Sequence, residues 1–215
     1  MDSVLIHDVK NVEQRLSLLL ENLDEHYGDP DFKRSVVDLL NATVQKLDAI
    51  AGRYAAHSDG LLIKVPLDLR DLVSEVARTA RPKGARRARP VEVFVADGLP
   101  AVWGDPHYLK DALLSVVQNA LEAAGESGAV RLSVRGERRR ARSRVLIVVE
   151  DDGPGMSPEF VAERLFRPLQ TTKPDGVGLG LYTARQILGF HGGDIRVESA
   201  PDSGTRVTLS IPGEA

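Results

Sequence analysis

The residues best suited to chemistry in this sequence are an acidic glycine turn, a glycine-rich turn and one histidine. From Asp151 to Leu181 the chain reads DDGPGMSPEFVAERLFRPLQTTKPDGVGLGL. The first turn follows Val145 to Glu150, an apolar, β-branched run that predicts a buried strand. The second, Gly176 to Gly180, opens a predicted helix from Leu181 to Leu188. Glycine tolerates positive φ and lets a ligand approach the backbone closely. A glycine turn at a helix start aims bare N–H groups and the positive dipole end at one point, which suits phosphate. A carboxylate at a strand end followed by such a cradle predicts a nucleotide held at both ends. The dinucleotide fingerprint does not fit, because Gly176, Gly178 and Gly180 follow a polar, proline-marked loop instead of a strand. The phosphate loop ending in Lys-Ser/Thr is absent as well.

His7 is the candidate nucleophile. Apolar residues at Leu5, Val9, Val12, Leu16, Leu19 and Leu23 alternate spacings of four and three, a narrow helical seam. Against that seam His7 falls on the outward face, which a plain surface histidine fits equally well. Asp8 is adjacent and Asn11 lies one turn on, on the same side. A carboxylate that takes the proton of one ring nitrogen leaves the other free to attack. Asn119, inside the apolar helix segment QNALEAA, needs a partner. It is either a buried amide bonded to backbone or an oxygen ligand for a hard cation.

The elements that position these groups follow in order. A helix over residues 3–23 ends at Tyr27-Gly28-Asp29-Pro30-Asp31, which also caps a second helix. Val36, Leu40, Leu47, Ile50 and Tyr54, with Thr43 or Val44, continue a stripe to about Ala56. Two such helices form an antiparallel hairpin, and pairing two hairpins into a four-helix bundle buries the rest of the apolar surface. This predicts a homodimer through residues 3–56. Ser58 to Gly60 is a linker, giving a helical hairpin over 1–57 and a second domain over 61–215. In that domain Leu61–Val65 and Val91–Val95 predict strands, and Asp68–Ala80 predicts a helix. Arg81–Pro90 is a basic loop, and Gly104-Asp105-Pro106 starts a helix reaching Ala124. Val130–Val134 and Val145–Val149 predict a hairpin whose cationic tip, Arg135–Arg144, is a solvated loop. His191-Gly192-Gly193 is a helix end with a structural histidine, and Ile195–Glu198 and Thr205–Ile211 are closing strands.

Composition sets the outer limits. With 215 residues, 42% hydrophobic and 27% charged, the chain suits one soluble domain plus a smaller element. Cysteine is absent, so disulfides and cysteine-ligated metals are excluded. No apolar run approaches the roughly twenty residues of a membrane span. A net charge of −3 gives no general argument for nucleic acid.

Taken together these pieces resemble a bacterial sensor histidine kinase core over nearly the whole chain. IHDVKN at Ile6–Asn11 is similar to the phosphoacceptor box, and QNALEAA to the asparagine box of the ATP-binding domain shared with gyrase, Hsp90 and MutL. DDGPGM resembles the first glycine box, LFRPLQTTK the phenylalanine box and lid, GVGLGL the second glycine box, and SGTRVTLSIP the last box. The resemblance implies an α+β chain: a helical hairpin followed by an α/β sandwich of the GHKL ATPase type, its mixed sheet covered on one face by helices. It implies ATP and Mg²⁺ as ligands, with Asn119 on the metal and Asp151 accepting from the adenine amino group. Gly153, Gly155, Met156 and Thr205 then line the base. Thr171, Thr172, Lys173, Gly176, Val177, Gly178, Leu179, Gly180 and Leu181 form the lid and phosphate cradle. His7, Asp8 and Asn11 carry the catalysis; Gln118 stands where some relatives place an acidic base, so Asp8 takes that role. Phe166 packs to set the lid. The implied function is autophosphorylation of His7 and transfer to an aspartate of a response-regulator receiver domain, with a phosphatase role as an option. The implied setting is cytoplasmic, as a soluble protein or as the core of a longer, membrane-associated sensor. Two other classes fit the same turns: a GHKL-type ATPase or serine kinase without phosphohistidine, and a dimeric scaffold with a degenerate nucleotide site.

Overall fold

The computed structural model describes residues 13–14, 16–22, 29, 31–40, 43–44, 62–82, 90–139, 142–168, 170–171 and 178–214. The chain divides into two compact units, Met1–Leu61 and Leu62–Ala215.

In the first unit, residues 16–22 and 31–40 are helical. The seam positions Leu16 and Leu19 are half-buried, whereas Leu18 and Leu20 are 62% and 67% exposed. Asp29 starts the second helix: its carboxylate accepts from Asp31 N–H at 2.8 Å and its carbonyl from Lys33 N–H at 3.0 Å. Val36 and Leu40 are half-buried and Thr43 is buried, as the second stripe requires.

The second unit is a mixed sheet with helices on one face. Its elements are β1 (Val65–Leu67), α1 (Leu69–Thr79), β2 (Glu92–Val95), β3 (Val102–Gly104), α2 (Pro106–Ala124), β4 (Val130–Arg139), β5 (Arg142–Asp151), α3 (Pro158–Glu163), α4 (Gly180–Phe190), β6 (Asp194–Ser199) and β7 (Thr205–Gly213). Five strands run in the order β2-β4-β5-β7-β6, and β1 pairs with β3 in a separate two-stranded sheet. Among the described residues only the β2–β4 pair is parallel.

Helix boundaries follow cap chemistry. Asp68 accepts from the N–H groups of Arg70 and Asp71, and Asp105 from those of His107 and Tyr108. Each satisfies donors that the first turn leaves free. On α2 the residues Leu109, Leu113, Val116, Ala120 and Leu121 form a stripe buried against the sheet's inner face. Leu132, Val145, Ile147, Leu209 and Ile211 meet them from the strands, each at most 2% exposed. Truncating one such leucine to alanine costs roughly 2–5 kcal/mol.

The sheet's other face carries charge in register. Glu92 lies opposite Arg131, Arg131 opposite Glu150, Glu150 opposite Arg206, and Arg206 opposite Glu198. Signs therefore alternate across all five strands. The row closes with Arg131–Glu92 at 3.3 Å, Arg206–Glu150 at 2.7 Å and Arg206–Glu198 at 3.9 Å. Opposite charges directly across a ladder are favourable, though exposure keeps each pair to about 1 kcal/mol or less.

Three sequence expectations need correction. The strand expected at Leu61–Val65 lies at Val65–Leu67, because Ile63 is 73% exposed and its N–H bonds Asp105 instead of a strand. β3 had no sequence signal, three residues being too short to show a period. Most of the expected loop Arg135–Arg144 is ladder, pairing through Arg139 and Arg142. Strand pairing uses backbone groups, and charged side chains on the solvent face do not oppose it.

Candidate functional site

The site forms where β5, α2 and α4 meet. Asp151 is the last residue of β5, opposite Val130 on one side and Thr205 on the other. Its Oδ1 accepts from Gly153 N–H at 3.0 Å, which fixes the carboxylate over the turn. Asp152 Oδ1 accepts from Ala129 N–H at 2.9 Å and so ties the strand end to the turn after α2.

Glycine is required here by neighbours. A Cβ at Gly153 would stand 2.8 Å from the Ala123 carbonyl of α2 and 2.8 Å from Asp151 Oδ1. Gly155 has φ +68° and faces the Ala200 carbonyl too closely for any Cβ. The β6–β7 turn supports this loop: Asp202 N–H donates to Pro154 O at 2.8 Å, and Met156 N–H donates to Ser199 Oγ at 2.9 Å. Ser199 Oγ in turn donates to Gly204 O and lies 2.9 Å from Thr205 Oγ1. Thr205 and Met156 are thus joined through one serine.

Across the site, α4 begins at Gly180 with no side-chain cap among the described residues, so its first N–H groups take no side-chain acceptor there. A Cβ at Gly180 would sit 2.5 Å from Ser115 Oγ and 3.4 Å from Asn119 Nδ2. Ser115 and Asn119 are one turn apart on α2, so the start of α4 rests directly on the asparagine's face. Gly178, with φ +72°, turns the chain into that helix, followed by Leu179 and the half-buried Leu181. Phe166 packs on the core, with the Arg185 guanidinium of α4 4.7 Å from its ring centre. That contact fastens the segment before the lid to α4.

The structure therefore brings together Asn119, Asp151, Gly153, Gly155, Met156, Gly178, Leu179, Gly180, Leu181 and Thr205; Thr171 is exposed. His7, Asp8, Asn11, Thr172, Lys173, Gly176 and Val177 lie outside the described residues. Among the described residues no group of three His, Cys, Asp or Glu side chains is placed to hold a metal. A half-buried amide beside the open start of α4 fits a hard cation that brings most of its oxygens on a phosphate ligand. Sequence reasoning missed Ser115 and Ser199; the spacing of Ser115 four residues before Asn119 was the available signal for the first.

Residues 104–215 match the family of histidine kinase-, DNA gyrase B- and HSP90-like ATPases. The chain belongs to this family. Its ATP-binding unit is a histidine kinase catalytic core of the GHKL type. The sensory histidine kinase/phosphatase NtrB of Rhizobium meliloti (strain 1021) is 29% identical over 210 residues, covering 92% of this chain and 54% of NtrB. Among solved structures, the mycobacterial sensor histidine kinase MprB aligns with TM-score 0.58 and 26% identity, over 71% of this chain and 99% of that one. Full-length ShkA in complex with AMPPNP aligns with TM-score 0.62 over 94% of this chain and 46% of its own, at 23% identity, a likeness of fold. The chain spans about half the length of the NtrB proteins it matches, and about a quarter to a third of some other matched sensor kinases. No helix among the described residues is long and apolar enough to cross a membrane.

Proposed function

We propose that this chain is the core of a two-component protein-histidine kinase. The observation that carries the proposal is the convergence of Asp151, Gly153, Asn119 and Gly180 at one end of the sheet, in a chain that aligns with sensor kinases over 92% of its length. Asp151, a pure acceptor held by Gly153 N–H, receives the adenine amino group, which guanine's carbonyl cannot supply. Met156 and Thr205 border the base, and the residues from Thr171 to Leu181 close over the phosphates. Asn119 would hold Mg²⁺ through its amide oxygen, and the cation would supply positive charge that offsets that of the phosphates.

His7 is the nucleophile. Asp8 holds the proton on one ring nitrogen while the lone pair of the other attacks the γ-phosphorus in line. The N–P bond forms as the bond from the γ-phosphorus to the β–γ bridging oxygen breaks, ADP leaves with that bond's electron pair, and Asp8 takes the proton from the other ring nitrogen. The N–H groups at the start of α4 stabilise charge on the phosphates. The phosphoramidate then donates to an aspartate of a response-regulator receiver domain. Asn11 positions that partner, or the water that hydrolyses its phosphoaspartate. Residues 1–57 form the dimerising hairpin and 61–215 the catalytic domain, joined by 58–60. The protein works as a homodimer in the cytoplasm.

Labelled ATP with Mg²⁺ tests the reading. A phosphohistidine loses its label in acid and keeps it in alkali; an acid-stable label would indicate a serine kinase, and absence of nucleotide binding would indicate a scaffold.

A further inference from the structure

Met156 has a chemical property that nucleotide binding does not call on. The chain has no cysteine and two methionines, of which Met1 lies outside the described residues. Met156 therefore carries the one sulfur atom among the described residues. It stands at the end of the acidic glycine turn, half-buried, on the wall of an open cavity of about 590 Å³. Phe160 of α3 and Arg164 line the same cavity. A thioether beside open solvent is within reach of a small oxidant, whereas one sealed in the core is not.

The backbone of Met156 is held, so a changed side chain must be accommodated where it stands. Met156 N–H donates to Ser199 Oγ at 2.9 Å, and Pro154 O accepts from Asp202 N–H at 2.8 Å. Between them Gly155, at φ +68°, approaches the Ala200 carbonyl too closely to admit a Cβ. The turn is thus clamped to the β6–β7 end on both sides of Gly155. The hydroxyls there are committed as well. Ser199 gives its proton to Gly204 O, so across the 2.9 Å contact Thr205 Oγ1 gives its own proton to Ser199. A new acceptor on Met156 finds no free donor in that pair.

We propose that Met156 is an oxidation site at which a peroxide lowers the protein's affinity for adenine nucleotides, an inference that rests on the reading of Met156 as a border of the base. A sulfur lone pair attacks one peroxide oxygen. The S–O bond forms, the O–O bond breaks, and the departing oxygen leaves as water with both hydrogens. Sulfur loses two electrons and the peroxide gains them. The product is a chiral sulfoxide, in which a flexible apolar surface has become polar. Against the face of a base, the new oxygen must either give up its water or push the base away. With the turn clamped, only side-chain torsions can respond. Binding weakens while the fold survives, because Met156 is not part of the buried core. With no thiol in the chain, no cysteine reacts first or answers in its place. The change is reversible, since sulfoxide reductases act on each epimer.

The test uses the full chain, wild type and Met156→Leu, each treated with hydrogen peroxide until peptide mass spectrometry shows Met156 of the wild type converted to the sulfoxide. Affinities for ATP and ADP are measured before and after, with thermal midpoints of the nucleotide-free protein as a check on folding. The expected result is a loss of about fivefold or more, equal for the two nucleotides because both carry the base, with the midpoint nearly unchanged. Treatment with both methionine sulfoxide reductases should restore the affinity. Met156→Leu, compared with its own untreated affinity, should not respond. Complete conversion of Met156 with unchanged affinity would overturn the proposal. Resistance of Met156 to peroxide while Met1 is oxidised, or an equal loss in Met156→Leu, would also overturn it. Failure of the untreated wild type to bind ATP would instead remove the nucleotide-site reading, and this inference with it.

Discussion

His191 Nε2 accepts a 3.0 Å hydrogen bond from the backbone N–H of Asp105, joining the end of α4 to the start of α2. Nδ1 faces Ile187 O at 2.7 Å, so the proton resides on Nδ1 and the ring is neutral. Asp105 uses its side chain separately, capping α2 through Oδ1 and accepting from Ile63 N–H through Oδ2 at 3.1 Å. The two helices whose other ends carry Asn119 and Gly180 are thus locked at a buried junction.

Burial holds the His191 pKa below its ordinary value, and Lys64 adds to this; the bond to Ile187 and the charge of Asp105 oppose it. The unfolded chain therefore binds a proton that the folded chain refuses. Stability from this group is complete above about pH 6.5 and falls as pH drops below it, down to the lowered folded value. Comparing thermal midpoints at pH 8 and pH 5.5, roughly either side of that value, the wild type should lose more than His191→Gln, which keeps an acceptor and a donor without titrating. Equal losses in both would contradict the assignment.

At the opposite end, Gly180→Ala should weaken ATP binding, because its Cβ must displace Ser115 Oγ, 2.5 Å away, and crowd Asn119. Because Ser115 Oγ can rotate away, the cost lies at the low end for overpacking, about 1 kcal/mol. The double variant with Ser115→Gly should recover most of the affinity. No recovery would show that α4 does not rest on Ser115 as described.

Asp151→Asn replaces a pure acceptor with a group that is half donor. The amide can still accept from Gly153 N–H, so the fold should survive while ATP affinity falls by ten-fold or more, the loss of a charged hydrogen bond of about 1.5–3 kcal/mol. Nucleotide titration checks this; unchanged affinity would count against the adenine role.

Much of this was legible in the sequence because the informative features are local. The capping Asp105-Pro106, the stripe of α2 and the β-branched run of β5 each declare their element within a few residues. The glycine turns were legible for the same reason, since their rhythm is continuous along the chain. What escaped depends on register. The alternating row from Glu92 to Glu198 exists only once five strands are aligned, and no one of its residues is distinctive alone. The Ser199 bridge between Met156 and Thr205 likewise joins positions 43 residues apart in one case, beyond any periodic pattern. The basic run misled for a different reason: its charge suggested a solvated loop, yet the backbone beneath it pairs to the tip.

The most direct test of the account is labelling of His7→Gln beside the wild type with labelled ATP and Mg²⁺, with nucleotide affinity measured on both. The account predicts an acid-labile, alkali-stable label on the wild type, none on the variant, and nearly equal ATP affinity. Full acid-labile labelling of His7→Gln would contradict it.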